Sequence, residues 1–340
     1  MGVTFLIGNG FDLNLGLKTR YTDMYESYIK SESKSAIIDK FKKDLQKEEH
    51  NHYENWSDFE MGMAQYAENF TDENEFIECI RDFKAHMVKW LKREEKGLLK
   101  DLWSKIDYGK IKASVLNFYS GCTPNNQYNI LKVMFVNSIC NFNFITFNYT
   151  TILDEILFEI SGSYDAIGKS KYNIKDNIIH IHGDLDHDVV LGVDNEKQVK
   201  SGFDITRKTD MAFIKPVFNN AFDQRRVENA KKSITENSVI CAYGLSLGES
   251  DEMWAKTLKN WLLANPQHHL IYYVYDETQI PSYNYDEKME KEDELKQELY
   301  KKLKLTETQI PSVRNRIHIP VSYNIFDVMI KKREKELATV

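Results

Sequence analysis

The N-terminal stretch reads VTFLIGNGFDLNLG over residues 3–16. Its first five residues are apolar or β-branched and predict a short buried strand. The strand leads into Gly8 and Gly10, and glycine lets a backbone approach a ligand without a Cβ in the way. We therefore expect this loop to hold a phosphate on its backbone N–H groups. A dinucleotide-binding fingerprint would place a third glycine at position 13, where this chain has Leu13.

The composition is typical of a globular protein: 42% of the 340 residues are apolar, 29% are charged, and the net charge is −7. The acidic balance argues against general nucleic-acid binding, which depends on neutralising phosphates. No apolar run is long enough to span a membrane, and the N-terminus lacks the pattern of a signal peptide. We therefore expect a cytoplasmic protein without membrane contact. The four cysteines form no CxxC pair, which argues against a disulfide framework and against a cysteine zinc ribbon.

Apolar runs typical of strands recur along the chain, and helical patterns separate several of them. Strands that alternate with helices predict an α/β fold with a mostly parallel sheet. The predicted strands lie at 3–7, 143–147, 178–182, 189–193, 238–243, 270–275 and 316–321.

Residues 20–140 interrupt this alternation, because they carry long helical periodicity and few strand signals. The block is too long for one crossover helix, so we predict a helical insertion lobe. The remaining residues, 1–19 and 141–340, are then predicted to form one nucleotide-binding domain.

A second polar cluster, TFNYT at residues 146–150, follows the apolar run 142–145. Asn148 therefore lies where a strand gives way to a helix, and ligands of open parallel sheets bind at the carboxyl ends of the strands. An Asn or Thr at this place can equally cap the following helix. The residues alone leave both interpretations open.

A third cluster, IHIHGD, covers residues 179–184. Strand alternation places His180 and His182 on one face. Gly183 would leave the His182 imidazole uncovered at the end of the strand. We therefore predict His182 as a general base and His180 as a packed histidine beneath it.

The same cluster supports an alternative, because His180-x-His182-x-Asp184 opens the metal-binding motif of metallo-β-lactamase-like hydrolases. The histidine that should come next is replaced by Leu185. A metal-dependent hydrolase or nuclease built on these three residues is therefore an alternative function, while the leading interpretation expects no metal.

A fourth cluster, YGLSLGESD at residues 243–251, follows the strand predicted at 238–243. Gly244 permits close backbone approach, and Ser246 offers a hydroxyl to a phosphate or a ribose. Ser250 or Asp251 is interpreted as the cap of the helix predicted at 252–263.

In this order the four clusters resemble the motifs of the sirtuin-like NAD-binding fold. The first loop resembles that of sirtuins, including the spacing to Gly16-Leu17, and residues 146–150 resemble the TQNID motif. His182-Gly183 resembles the catalytic His-Gly, and GLSL at 244–247 resembles GTSL. Within that group, the GNGFD, FNYT, HIHGD and GLSL motifs look most like the AbiH family of phage abortive-infection proteins.

The resemblance implies a Rossmann-like, sirtuin-like sheet that binds NAD as substrate or ligand, with His182 and Asn148 as catalytic residues. It also implies which residues contact the nucleotide: Gly8, Asn9, Gly10, Phe11, Asp12, Thr146, Tyr149, Gly183, Gly244 and Ser246. The chain lacks the zinc ribbon of sirtuins, so protein deacylation is not expected. The last residue of TQNID, an aspartate that helps to hold the nicotinamide carboxamide, corresponds to Thr150.

The leading hypothesis is an anti-phage abortive-infection effector that hydrolyses the N-glycosidic bond of NAD or a related nucleotide. The alternative from a different class is a nucleotide-binding sensor without turnover. Both imply a small-molecule nucleotide as partner, and both leave open a phage-derived trigger, a partner protein and a homo-oligomer.

Overall fold

The fold is taken from a computed structural model, which describes residues 2–48, 58–101, 106–135, 139–166, 170–274, 280–281, 283–321, 323 and 325–326. Its centre is a seven-stranded sheet in the order β3-β4-β2-β1-β5-β6-β7. The strands are β1 (Gly2–Ile7), β2 (Ile139–Thr146), β3 (Gly162–Asp165), β4 (Lys171–His180), β5 (Val239–Tyr243), β6 (His269–Tyr273) and β7 (Ile317–His318). All neighbouring pairs are parallel except β3 and β4.

The helices that surround the sheet in the described part of the chain are α1 (Gly10–Asn14), α2 (Tyr21–Ile29), α3 (Ala36–Glu48), α4 (Phe59–Tyr66), α5 (Glu73–Asp101), α6 (Tyr108–Leu116), α7 (Pro124–Met134), α8 (Ile152–Ile160), α9 (Arg207–Phe213), α10 (Lys215–Phe222), α11 (Gln224–Glu236), α12 (Glu252–Ala264), α13 (Tyr285–Lys302) and α14 (Ile310–Val313). None of these helices is both long and apolar enough to cross a membrane.

Strand β1 lies in the middle of the sheet, and every residue of it is buried. From β1 the chain adds β2 and β4 on one side, and then crosses over to add β5, β6 and β7 on the other. The direction of winding therefore reverses between β1 and β5. In open α/β sheets this point leaves a crevice at the carboxyl ends of the strands, where ligands bind.

Helices cover both faces of the sheet. On one face, Phe5 of β1 packs with residues of α6, α7 and α8, including Ile111, Ile130 and Ile156. On the other face, Leu6 of β1 packs with residues of α11, α12 and α13. The alternation of side chains along β1 thus supplies both cores, as a central parallel strand requires.

A third buried cluster lies away from the sheet. It joins apolar residues of α2 to α5 with residues of the segment 185–214, among them Leu191, Val193 and Phe213. Within residues 20–140, α2 to α5 therefore pack in this cluster, whereas α6 and α7 pack on the sheet. The division of the chain into two domains stays a prediction.

The predicted α/β class with a mostly parallel sheet is confirmed, whereas its Rossmann-like, sirtuin-like identity stays a prediction. The strand predicted at 189–193 is wrong. There the N–H of Val190 donates to the carbonyl of His182, and that of Gly192 donates to the Glu60 carboxylate. Because these two N–H groups bond to a turn carbonyl and to a side chain, they are not available to a neighbouring strand. The segment therefore joins no sheet, and it forms only one isolated bridge, from Val193 to Ile214.

The core predicts a large cost for truncating Phe5. This ring is fully buried, stacks on Phe144 at 4.7 Å and meets Phe118 edge-on at 5.2 Å between centroids. We expect Phe5→Ala to lower the free energy of unfolding by about 3–5 kcal/mol, through lost burial and the cavity left behind. The matched control, Phe158→Ala, removes a ring that is 69% exposed and should change stability by less than about 0.5 kcal/mol. Urea unfolding measures both, and equal effects would contradict this account of the core.

Candidate functional site

A cavity of about 840 Å³ opens where the loops after β1, β2 and β5 meet. The cavity thus lies at the carboxyl ends of the strands, at the point between β1 and β5 where the direction of winding reverses. It brings together residues from all four sequence clusters: Gly8, Asn9, Gly10, Asp12, Asn148, Tyr149, His182, Gly244 and Ser246.

Three predicted contact residues do not line this cavity. Phe11 is fully buried and packs edge-on against Phe326. The Thr146 hydroxyl donates to the carbonyl of Ile7 at 3.3 Å and accepts from the N–H of Asn148 at 3.1 Å. Gly183 forms a turn at φ +74°, where a Cβ would collide with the carbonyl of Asp188. All three support the walls rather than facing the space between them.

The glycines of the first loop allow two backbones to touch. The N–H of Gly8 donates to the carbonyl of Tyr243, and that of Gly10 donates to the carbonyl of Gly244, each at 2.9 Å. A Cβ on Gly10 would lie 2.5 Å from the Cα of Gly244. Both N–H groups are thus used within the protein, which corrects our reason for expecting a phosphate on them. The loop is shaped by its contact with the loop after β5.

Asp12 and Asn148 form the polar floor of the cavity. Asp12 is 2% exposed; it accepts hydrogen bonds from the Asn148 amide at 3.1 Å and from the Thr150 hydroxyl at 2.8 Å. Burial raises the pKa of Asp12 to about 7, against the effect of these two donors. The Asn148 Oδ1 atom is buried and makes no hydrogen bond, so it is the free acceptor of this group. The resemblance placed an aspartate at the position that Thr150 occupies in this chain. Here the carboxylate beside Asn148 belongs instead to Asp12 of the first loop, and Thr150 donates to it.

The two histidines of the third cluster have different partners. Strand β4 ends at His180, so the alternation that placed both rings on one face does not extend to His182. His180 Nε2 lies 3.0 Å from both carboxylate oxygens of Asp154 in α8. Burial lowers the pKa of His180, but Asp154 more than offsets this effect and leaves it raised.

His182 lines the cavity and is only 5% exposed, so the prediction that Gly183 leaves its ring uncovered is wrong. Its Nε2 lies 3.3 Å from Oδ1 of Asp251, but both ring nitrogens are buried and neither makes a hydrogen bond. Burial lowers the pKa of His182, and the positive charge of Lys215 lowers it further. The ring is therefore neutral at pH 7 and able to accept a proton.

The metal-binding alternative required His180, His182 and Asp184 to converge. Each instead has its own partner, and that of Asp184 is His187, at 2.9 Å. Over the ranges that the structure describes, no group of three or more histidine, cysteine or acidic side chains is arranged to hold a metal ion.

A buried ion network, which the sequence analysis missed, lies behind His182. Lys215 of α10 is 3% exposed and donates to Glu60 at 3.0 Å and to Asp251 at 2.8 Å. Burial lowers the pKa of Lys215, but the two carboxylates raise it by more. Burial also raises the pKa of Glu60 to about 7. One signal was available: Glu60 and Lys215 are single charges in otherwise apolar runs, residues 59–64 and 211–218.

Ser250 or Asp251 was interpreted as the cap of α12. Asp251 does occupy the N-cap position, but the expectation of a side-chain cap is wrong. Neither side chain caps α12; the N–H of Met253 donates instead to the Asp194 carboxylate at 2.6 Å. Because Asp194 replaces it as cap, Asp251 is free to turn toward Lys215 and His182.

Comparison with known proteins gives one family. A family model described as "Bacteriophage abortive infection AbiH" matches residues 4–273, a range that contains all four clusters and the ion network. No curated protein matches the chain.

The raised pKa of Asp12 predicts a pH-dependent stability. Because the folded state holds a proton on Asp12 that the unfolded chain releases near its ordinary pKa of 3.8, stability falls as pH rises from about 4 to 7. We expect wild type to lose about 1.4 kcal/mol per pH unit relative to Asp12→Asn across this window. Urea unfolding of both proteins at several pH values measures the difference, and parallel curves would contradict it.

The contact between the two loops predicts that Gly244 tolerates no side chain. Its φ is +64°, and a Cβ would lie 2.6 Å from the Cα of Gly10. We expect Gly244→Ala to cost at least about 2 kcal/mol of stability. Gly97→Ala is the control, since Gly97 lies in α5 with open space around it and alanine there should add roughly 1 kcal/mol. Thermal unfolding distinguishes these opposite signs.

Proposed function

This chain belongs to the AbiH family of bacteriophage abortive-infection proteins, and from this premise we propose that it hydrolyses the N-glycosidic bond of NAD or a related nucleotide. The family indicates a role in phage abortive infection. The reaction is our own inference, and it depends on the cavity.

The observation that carries the proposal is the pair of buried polar side chains, Asn148 and His182, that line this cavity without full hydrogen bonding. Buried polar atoms in proteins are normally paired, and unpaired ones at a cavity favour a ligand that completes them. A volume of about 840 Å³ lies within the range of small-molecule and cofactor sites.

In the proposed reaction, a water molecule attacks the anomeric carbon of the nicotinamide riboside. The C–N bond to nicotinamide breaks, the C–O bond to water forms, and neutral His182 takes the proton that the water loses. Asn148 Oδ1 would accept a hydrogen bond from the water or from a ribose hydroxyl and so orient the attack. The products are nicotinamide and ADP-ribose.

The charge around this end of the cavity suits such a reaction. The breaking bond leaves positive charge on the sugar, which resembles an oxocarbenium ion in the transition state. Asp12, held against Asn148, and Asp251, beside His182, are acidic groups of the same wall. Fixed negative charge near a developing cation lowers the barrier, and Asp251, whose pKa is held low by Lys215, supplies it at neutral pH.

The diphosphate would need positive charge, and the described lining supplies it at Arg20 and Lys302. Lys302 of α13 also donates to the carbonyl of Ser246 at 2.9 Å, so it holds the loop after β5 as well. Ser246 and Gly244 would then lie beside the phosphates and the second ribose.

The test is release of nicotinamide from NAD by the purified full-length protein, followed by chromatography, with NADP and ATP as further substrates. We expect His182→Ala and Asn148→Ala to lower the rate by about 100-fold or more. His187→Ala is the control, since this ring is 76% exposed and lies outside the cavity. Because the pKa of His182 is lowered from its ordinary value of 6.5, the rate should fall only at a pH below 6.5. Undiminished hydrolysis by the His182 variant would contradict the assignment.

One observation favours the second candidate, a nucleotide sensor without turnover. Both ring nitrogens of His182 are buried, and a base must reach the water that it deprotonates. Catalytic contacts often tighten only when substrate binds, so this burial is compatible with hydrolysis. Calorimetry separates the two functions: NAD binding that is lost in Asn148→Ala, with no nicotinamide released by wild type before or after phage infection, would identify the sensor.

A further inference from the structure

Asp251 occupies an unusual position at the start of α12. It is the residue before the helix, where an aspartate normally caps the first turn with its own carboxylate. Asp194, from the segment that follows residues 189–193, caps that turn instead. The carboxylate of Asp251 is therefore directed into the protein, toward α10 and His182.

Oδ1 of Asp251 lies between two nitrogen atoms. Lys215 Nζ donates to it at 2.8 Å, and His182 Nε2 lies 3.3 Å from it. Lys215 is itself fixed by two further acceptors, the Glu60 carboxylate at 3.0 Å and the carbonyl of Ser250 at 3.2 Å. Each ammonium proton of Lys215 thus has an acceptor, so the lysine has little freedom to move.

Glu60 connects this arrangement to the helical part of the chain. It lies on α4, is 6% exposed, and also accepts a hydrogen bond from the N–H of Gly192 at 2.9 Å. The path from α4 to His182 therefore runs through Glu60, Lys215 and Asp251, and every link in it has a distance of 3.3 Å or less.

The charges of Lys215 and Asp251 determine which nitrogen of His182 can accept a proton. Lys215 keeps Asp251 ionised, and an ionised carboxylate can only accept hydrogen bonds. Next to it, a neutral imidazole is more stable with its hydrogen on Nε2. Nδ1 is then the nitrogen that carries the lone pair. Neither ring nitrogen makes a hydrogen bond in the structure, and Nε2 is the one that lies beside a carboxylate, 3.3 Å from Oδ1 of Asp251.

We propose that Asp251 is the positioning residue for His182, fixing the neutral ring with its hydrogen on Nε2, and that Lys215 and Glu60 hold Asp251 in place for this purpose. The site then depends on α4 as well as on the sheet. This inference rests on the proposed function for what His182 does, but the state of the ring is measurable without any turnover.

The other groups that face His182 act on it more weakly or not by charge. Arg226 of α11 lowers the pKa of His182, but it is paired with Asp188 at 3.3 Å. The rings of Phe147 and Tyr149 lie 5.7 Å and 6.3 Å from the imidazole and pack against it. Within the described part of the chain, Asp251 is thus the acidic group that pairs with the ring.

The experiment is NMR of the full-length protein with ¹⁵N-labelled histidine, because ¹⁵N shifts distinguish the two tautomers and follow the titration. In wild type we expect His182 to carry its hydrogen on Nε2. In Asp251→Asn the tautomer preference should be lost and the pKa of His182 should fall. In Lys215→Met, which removes the cation, that pKa should rise. An unchanged tautomer in Asp251→Asn, or shifts of the same sign in both variants, would overturn the proposal.

The matched control is Asp154→Asn, which removes the carboxylate from the other histidine pair. It should lower the pKa of His180 and leave the His182 signals unchanged. If either single variant fails to fold, the double variant Asp251→Asn/Lys215→Met removes both charges together, which buried pairs tolerate better. We expect it to fold and to lose the Nε2 preference; retention of that preference would contradict the proposal.

NAD hydrolysis by the same proteins separates this inference from the proposed function. If wild type hydrolyses NAD and Asp251→Asn lowers the turnover number by about tenfold or more with little change in KM, both stand. If wild type releases no nicotinamide while the NMR changes occur as expected, Asp251 positions His182 in a binding site. The proposal that the protein hydrolyses NAD is then wrong. Full turnover by Asp251→Asn would overturn the positioning role alone.

Discussion

The backbone of the loop after β1 lies directly against the backbone of the loop after β5, and the cavity takes its form from this contact. Gly8 and Gly10 donate to Tyr243 and Gly244 at 2.9 Å, and no side chain fits between the two segments. Because the direction of winding reverses between these two strands, their loops diverge beyond the contact and leave a crevice. The polar residues that follow β2 and β4 then face into that crevice.

Burial is the second constraint on the site, since it sets the charge state of nearly every group there. Removal from water raises the pKa of Asp12 and of Glu60 to about 7 and lowers that of His182. Asp251 has its pKa held low, because the positive charge of Lys215 outweighs the effect of burial. The result is an ionised carboxylate beside a neutral imidazole, an arrangement suited to fixing a base. A buried lysine with two carboxylates costs desolvation energy, so a functional reason for keeping it is expected.

Much of this could be predicted from local sequence. The apolar run 3–7, the alternation of strands with helices and the polar residues at strand ends predicted a parallel sheet with Asn148, His182 and Gly244 at one edge. Local sequence failed where a group's partner lies far along the chain. Asp251 has the pattern of a helix cap, and only the arrival of Asp194 at that turn redirects it. Residues 189–193 have the pattern of a strand, yet Glu60 and the turn at His182 satisfy their N–H groups.

The sequence by itself determined the sheet class, the strand-end positions of the candidate residues and the need for glycine in the first loop, because these follow from periodicity and backbone sterics over a few residues. The tertiary structure alone decided that the glycines serve a backbone contact, that Asp12 supplies the carboxylate near Asn148, and that Glu60, Lys215 and Asp251 converge behind His182. Glu60 and Lys215 lie 155 positions apart in the chain. Neither charge is stable in the interior without the other, and which charges meet there is fixed only when the whole chain has packed.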